Sequence, residues 1–273
     1  MPRTIVITGA SDGIGAASAR QLHAAGEQVV VVGRNPQKTD AVARELGADS
    51  FTADFADLAQ VRDLAAALRE RYPRIDVLAN NAGGIFDSRE TTVDGFERNF
   101  QVNHLAGFLL TNLLLDRLLE SGASVIQTSS EAARRFARFD IDDLQGEHRY
   151  ASRAAYGNAK LANVLFTKEL QRRHGDAGLN AVAFHPGVIA SGFAGASHDL
   201  THWFYTSRLT QPFLASNETG GSRLTWLALG EPRVDWVPGA FYASNRVARP
   251  IRLAEDPTLA KTLWDRSAEL VGL

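Results

Sequence analysis

TGASDGIG, residues 8–15, decides how this chain folds. It closes a β-branched run, TIVIT at 4–8, and opens a helix-like stretch from about Ile14 to Ala25. Gly9, Gly13 and Gly15 permit a sharp bend, a close approach of backbone to a pyrophosphate, and close helix–strand contact. Such a pattern counts for more when a strand precedes it and a helix follows, as here. Its spacing is TGxxxGxG rather than GxGxxG. Outward from the turn the same rhythm continues. QVVVVG (28–33) is followed by a polar helix at about 36–46, a short strand near 50–53 and a helix at about 57–71. IDVLANN (75–81) leads into a long helical pattern at 96–120, and SVIQTSS (124–130) precedes a helix at about 151–174 and LNAVAFHPG (179–187). Short strands that are apolar on both faces, with helices between them, predict a doubly wound parallel β-sheet covered on both sides.

The chain has 273 residues, 45% hydrophobic and 22% charged, an ordinary globular make-up. No linker, repeat or low-complexity tract divides it, so a single α/β domain over 1–273 is expected. It has no cysteine, which excludes a disulfide scaffold, a thiolate metal site and a cysteine nucleophile. Twenty-nine basic residues against 31 acidic ones leave a net charge of -2 and no footprint for nucleic acid or an anionic membrane. MPRTIVITGA enters a strand at once, and apolar runs such as VVVVG at 29–33 are far too short to span a bilayer. A cytoplasmic protein without a membrane anchor is expected. Arginine outnumbers lysine 25 to 4, which suggests a GC-rich bacterial genome. From about 188 to 215 the rhythm lapses into a Gly-, Ser-, His- and aromatic-rich stretch, a lid candidate. It carries Phe193, Trp203, Phe204 and Tyr205; His198 and His202 stand four apart but lack a third ligand, so no metal is expected. A helix at about 217–229, GAFYAS (239–244) as a last strand and a helix at about 256–271 complete the chain.

The ends of the strands carry the chemistry. ANNAG supplies Asn80, Asn81, Ala82 and Gly83; QVNHLAGFLLT supplies Asn103; TSS supplies Ser129 and Ser130; YGNAK supplies Tyr156 and Lys160; HPG follows at 185–187. Tyr156 and Lys160 are four apart and share a helix face. An ammonium at that range favours the phenolate, moving a phenol of ordinary pKa about 10 toward acid–base duty near neutral pH. With all these motifs in this order, the chain resembles the short-chain dehydrogenase/reductase family, and the resemblance covers essentially its whole length. It implies a Rossmann-type sheet and an oxidoreductase that interconverts a carbonyl and an alcohol on a small molecule. It further implies that Tyr156 gives the carbonyl oxygen its proton, Lys160 supports Tyr156 and the nicotinamide ribose, Ser130 hydrogen-bonds the substrate oxygen, and Asn103 anchors a water. Ser129 competes with Ser130, but Ser130-Glu131-Ala132-Ala133 pairs better with the family pattern. The dinucleotide would lie on Gly9, Ser11, Asp12, Gly13, Ile14, Gly15, Asp54, Phe55, Asn81, Ala82, Gly83, Pro186, Gly187 and Val188, besides Tyr156 and Lys160. Loss of chemistry to leave a cofactor-binding sensor would ordinarily cost the tyrosine or lysine, and both are present.

A carboxylate after the second strand favours NAD(H), but its position here falls at Gly33, with Arg34 and Asn35 following. A guanidinium suits a 2′-phosphate, so NADP(H) is expected over NAD(H). Asp12 argues the other way unless its charge points elsewhere. Ser130 and Tyr156 are 26 apart, further than in typical members. The inserted RRFARFDIDDLQGEHRYASRAA, with YGNAKLANVLFTKEL and LWDRSAELVGL, resembles the retinol-dehydrogenase-like branch and places 131–150 near the substrate entrance. The apolar LLTNLLLDRLL run and the 151–174 helix suggest an exposed stripe, hence a homodimer or homotetramer.

Overall fold

The computed structural model describes residues 2–187 and 216–273. Val188, the lid candidate at 188–215 with its aromatics, and His198 and His202 lie outside the described residues.

Among the described residues eight strands form one sheet: β1 (Thr4–Thr8), β2 (Gln28–Gly33), β3 (Asp49–Thr52), β4 (Val77–Asn80), β5 (Ser124–Thr128), β6 (Asn180–His185), β7 (Phe241–Ala243) and β8 (Arg246–Val247). Their order is β3-β2-β1-β4-β5-β6-β7-β8. The first seven are parallel; β8 turns back antiparallel on β7, with Tyr242 opposite Val247. The sequence reading expected no eighth strand. It arises because Ser244 and Asn245 both take positive φ (51° and 58°), the geometry of a two-residue hairpin turn. Order reverses between β1 and β4, so the crevice beyond their carboxyl ends is the place for a ligand.

Alternation along each strand sorts its side chains into two layers. Ile5 and Ile7 of β1, Val29 and Val31 of β2, and Ile126 of β5 pack beneath α1 (Gly13–Ala24), α2 (Pro36–Leu46) and a later helix at Asn217–Leu229. Val6, Val30, Leu78 and Val125 pack on the opposite side beneath α3 (Leu58–Arg71) and the helices around Phe108 and Phe166.

The long pattern at 96–120 is not one helix. It runs as α4 (Arg98–Phe100), a π-helical turn (Gln101–Leu105), α5 (Ala106–Leu113) and α6 (Leu115–Ser121). Glu97 caps its start by accepting from the Asn99 and Phe100 N–H groups. No glycine or proline marks the wide turn, so nothing in the apolar periodicity betrays it. The inserted segment holds α7 (Ala132–Arg135) and leads into α8 (Ser152–His174). After α9 (Asn217–Leu229) comes a final helix, α10 (Pro257–Val271).

That last helix overturns the exposed stripe. Trp264 of α10 packs edge-to-face with Phe108 of α5 at 5.1 Å and tilted against Phe166 of α8 at 5.5 Å, measured between ring centroids. Leu109, Leu110, Leu114 and Leu118 are all buried. Among the described residues the exposed large hydrophobics, such as Val93, Val234 and Val247, lie outside 96–120 and 151–174. Among the described residues α10 thus covers much of this apolar surface, leaving Leu113, Leu115 and Leu119 half-buried. Among the described residues no helix is long and apolar enough to cross a membrane.

Candidate active site

The site begins with the turn after β1. Gly9 and Gly13 have φ of +66° and +57°, where an L side chain would be strained. A Cβ on Gly9 would also lie 2.8 Å from the Ala82 Cα, and one on Gly15 2.8 Å from the Asn81 Nδ2. Bare backbone is therefore required where the ends of β1 and β4 meet. Thr8 ties that junction by accepting at its hydroxyl from the N–H groups of Asn81 and Ala82, both at 3.0 Å. Asn81 donates its amide to the Thr8 carbonyl at 3.0 Å and accepts from the Thr128 hydroxyl at 3.2 Å. Its side chain is thus a clasp across β1, β4 and β5, and with its N–H also committed to Thr8, only its main-chain carbonyl is left for a ligand. Ser11 and Ile14 are half-buried at the rim of the turn.

Asp12 caps α1 through the Gly13 N–H and pairs with Lys38 Nζ at 2.8 Å. Those two hydrogen bonds, Lys38 first, hold its carboxyl below the usual carboxylate range. Its charge is accordingly met by a cation that the sequence reading did not single out. The signal was available: an acidic residue in a phosphate-binding turn calls for a nearby lysine, and the chain has only four. Gly33 is buried, and a Cβ there would collide with Thr39 Oγ1 and lie 2.7 Å from the Ser11 Cβ. No carboxylate fits at that point. Arg34 is exposed, and among the described residues no acidic group pairs with it. Asn35 uses its side-chain oxygen to cap α2, accepting from the Lys38 N–H at 2.9 Å, so only its NH2 can reach a phosphate. Asp54 accepts from the Ala56 N–H at 3.0 Å within its own turn. Phe55 sinks its ring into the core, so what it can offer a purine is backbone. Gly187 has φ of +103° directly after buried Pro186. At the start of α9 the buried Oδ1 of Asn217 has no partner among the described residues and lies 3.9 Å from where a Gly13 Cβ would stand. Backbone cradles closed to any Cβ, an orphaned polar oxygen beside the turn and a free guanidinium fit a bound dinucleotide.

On α8, Tyr156 and Lys160 stand one turn apart, with Lys160 Nζ 5.6 Å from the centre of the Tyr156 ring. Tyr156 is half-buried, whereas Lys160 is only 2% exposed. Nζ donates to the Thr128 carbonyl at 3.2 Å. Burial alone pushes the Lys160 ammonium down to about 7. The two serines after β5 divide cleanly. Ser129 is buried and donates to the Lys160 carbonyl at 2.7 Å, which occupies it in holding α8 to the sheet. Ser130 is half-buried and accepts from the Ala132 N–H at 3.2 Å, keeping its own proton to donate. Asn103 lies in the π-helical turn. Its side chain donates to the Gly84 and Asn99 carbonyls, both at 2.9 Å, and accepts from the Gly84 N–H at 3.1 Å. Any contact with a reacting group therefore falls to its backbone carbonyl. A Cβ on Gly83 would stand 3.1 Å from Lys160 Nζ, so this glycine, Asn103 and Lys160 converge. The 131–150 segment folds across the loop after β4: Gln145 accepts from the Glu97 N–H at 2.7 Å, and the Tyr150 hydroxyl accepts from Asn99 at 3.1 Å.

A Rossmann-type sheet with a glycine turn at its switch point and a Tyr–Lys pair across the crevice defines a dinucleotide-dependent oxidoreductase. A family model described as short chain dehydrogenase matches residues 3–200. A Streptomyces sp. (strain C5) protein named as the daunorubicin C-13 ketoreductase DnrU is 44% identical, over 99% of this chain and 93% of that one. Human retinol dehydrogenase 13 is 38% identical over 99% of this chain and 85% of its own. Among solved structures, an uncharacterised protein from Mycobacterium paratuberculosis matches with a TM-score of 0.79 at 33% identity, over 99% of this chain and 93% of that one. The chain belongs to the short-chain dehydrogenase/reductase family, within its retinol-dehydrogenase-like branch. It is an oxidoreductase acting on CH–OH and C=O groups, and an NAD(P)(H) cofactor goes with the family.

Proposed function

We propose that this chain is an NADP(H)-dependent carbonyl reductase and alcohol dehydrogenase for a lipophilic, bulky small molecule, with Tyr156 as general acid and base. The observation that carries the reading is the buried Lys160 ammonium beside the Tyr156 ring, with the half-buried Ser130 hydroxyl at the neighbouring strand end. When bound, a reduced nicotinamide supplies the hydride. The chain's own residues manage the proton and the substrate oxygen. Ser130 donates to the carbonyl oxygen and orients it. Tyr156 passes its phenolic proton to that oxygen as negative charge builds, and the Lys160 ammonium stabilises the phenolate left behind. The Asn103 carbonyl holds the water that returns a proton. Gly9, Ser11, Gly13, Ile14 and Gly15 would receive the pyrophosphate, and Asp54, Phe55, Asn81, Ala82, Gly83, Pro186, Gly187 and Val188 the rest of the dinucleotide. NADP(H) is favoured because Gly33 cannot carry a carboxylate, Arg34 has no acidic partner among the described residues, and Lys38 pairs with Asp12. The relatives' names point to large polycyclic or polyene substrates, which supports a bulky carbonyl here.

The test follows NADPH and NADH absorbance against aromatic ketones, quinones, medium-chain aldehydes, enones and retinal, beside Tyr156→Phe. NADPH-dependent reduction of a carbonyl that disappears in the variant is expected. Turnover that survives Tyr156→Phe, or reduction of the enone double bond alone, would overturn the reading.

A further inference from the structure

Behind the catalytic helix face lies a buried polar chain that the reaction as described does not use. Asn163, one turn beyond Lys160 on α8, is buried, and its amide nitrogen donates to the Asn103 carbonyl at 2.9 Å and the Thr128 carbonyl at 3.2 Å. Both acceptors are carbonyls, so the NH2 must face them and Oδ1 must point away. Oδ1 meets His104 Nδ1 at 3.2 Å, and His104 Nε2 meets Ser267 Oγ of α10 at 3.0 Å. Burial pushes His104 down to about 4, so it is neutral at working pH and carries one N–H. Because Oδ1 can only accept, that proton sits on Nδ1, and Nε2 accepts from the Ser267 hydroxyl. Every donor and acceptor in the chain is then assigned. His104 is packed among Phe100, Phe108 and Phe166 with no charged group shifting it, and none shifts Lys160 either.

We propose that Asn163 is a positioning residue: it fixes the Asn103 carbonyl and shares the Thr128 carbonyl with the Lys160 ammonium, while His104 and Ser267 lock its amide in the one orientation that can do so. The Thr128 carbonyl has two lone pairs and serves two donors, so Asn163 limits how firmly it can hold the ammonium. The π-helical turn sets the Asn103 carbonyl on the same amide, and a register error there would displace the water site. The C-terminal helix is thereby linked to the active site through hydrogen bonds, while Trp264 anchors it on the core.

This inference rests on the Tyr156–Lys160 reading above. Its test uses Asn163→Leu, of similar size, and His104→Phe, whose ring suits a pocket of phenylalanines should the first variant fold poorly. In Asn163→Leu, kcat is expected to fall roughly 10- to 100-fold, the cost of small displacements of catalytic groups, with KM changed less than about threefold. Losing the competing donor at Thr128 lets Lys160 keep its proton to higher pH. The kcat midpoint should rise by roughly half a unit or more, since about 1 kcal/mol of hydrogen bond against about 1.4 kcal/mol per unit sets that scale. Nitrogen-15 spectra of histidine should show His104 neutral with its proton on Nδ1, moving to Nε2 in Asn163→Leu. His104→Phe should shift the midpoint the same way with a smaller loss in kcat. Folded variants with unchanged kcat and pH midpoint, while Tyr156→Phe is inactive, would overturn the positioning role alone. Turnover surviving in Tyr156→Phe would overturn it together with the reading beneath it.

Discussion

Gly33 and Arg34 occupy adjacent positions, yet the structure assigns them different responses to the same substitution. An aspartate at 33 is the usual route to an NAD(H) site, since a carboxylate after the second strand accepts from the adenosine ribose. Here a Cβ would meet Thr39 Oγ1 and lie 2.7 Å from the Ser11 Cβ. Thr39 cannot yield easily, because it is fully buried and its hydroxyl donates to the Asn35 carbonyl at 2.6 Å. Ser11 belongs to the glycine turn after β1. Gly33→Asp must therefore push α2 and the glycine turn apart, an overpacking cost of roughly 1–3 kcal/mol. In a domain of this size that lowers Tm by about 2–4 °C per kcal/mol. Both cofactors should bind worse, because the displaced turn serves either.

Arg34→Asp adds no such crowding, since the side chain is exposed. It removes charge-assisted hydrogen bonds to a phosphate worth about 1.5–3 kcal/mol, so NADPH should weaken roughly 10- to 150-fold at about 1.4 kcal/mol per decade. NADH, without the phosphate, should change by less than about threefold on the same arithmetic. Calorimetric titration of both dinucleotides into wild type and the two variants, with melting curves alongside, measures all of this. Gly33→Asp binding NADH tightly at an unchanged Tm would refute the steric reasoning, and equal losses in Arg34→Asp would remove that residue from the phosphate site.

Lys160 makes the apo protein's stability depend on pH. Its folded pKa of about 7 lies below the unfolded value, so the unfolded chain binds more protons above pH 7 and stability rises with pH. The slope is bounded by about 1.4 kcal/mol per unit between pH 7 and 10; Lys160→Met should be inactive but more stable at pH 7, with the gain shrinking toward pH 10 in chemical denaturation, and a pH-independent gain would refute the assignment. Trp264→Ala should cost about 3–5 kcal/mol, as for other buried aromatics, and expose the faces around Phe108 and Phe166. Light scattering of wild type at micromolar concentration should give the mass of one chain, and a stable dimer would show that another surface does the pairing. Lys38→Ala leaves Asp12 uncompensated at the turn and should weaken NADPH more than NADH, as titration of both would show.

What the sequence makes legible here is what lies within one turn or one strand end. The glycines at 9, 13 and 15, the Tyr156–Lys160 spacing and the alternating apolar strands carry their geometry locally, whereas the order of the strands in the sheet is set by contacts between distant segments. The paired serines are nearly legible, because neighbours at a strand end differ in exposure: Ser129 is buried on the Lys160 carbonyl, and Ser130 stays half-buried. The rest needed distance. Asp12 and Lys38 are 26 residues apart, and His104 and Ser267 are 163 apart, so no periodicity links them. Two apolar helices in a sequence look the same whether a second copy covers them or the chain's own last helix does, and only packing decides that Trp264 takes the place. That choice has a chemical consequence. A partner subunit could cover those faces and come away, whereas α10 is tethered, and its Ser267 stays within hydrogen-bond reach of His104 at every concentration. The helix that closes the core is thus in a position to keep the Asn103 and Thr128 carbonyls in register without assembly, so activity per chain should not depend on dilution.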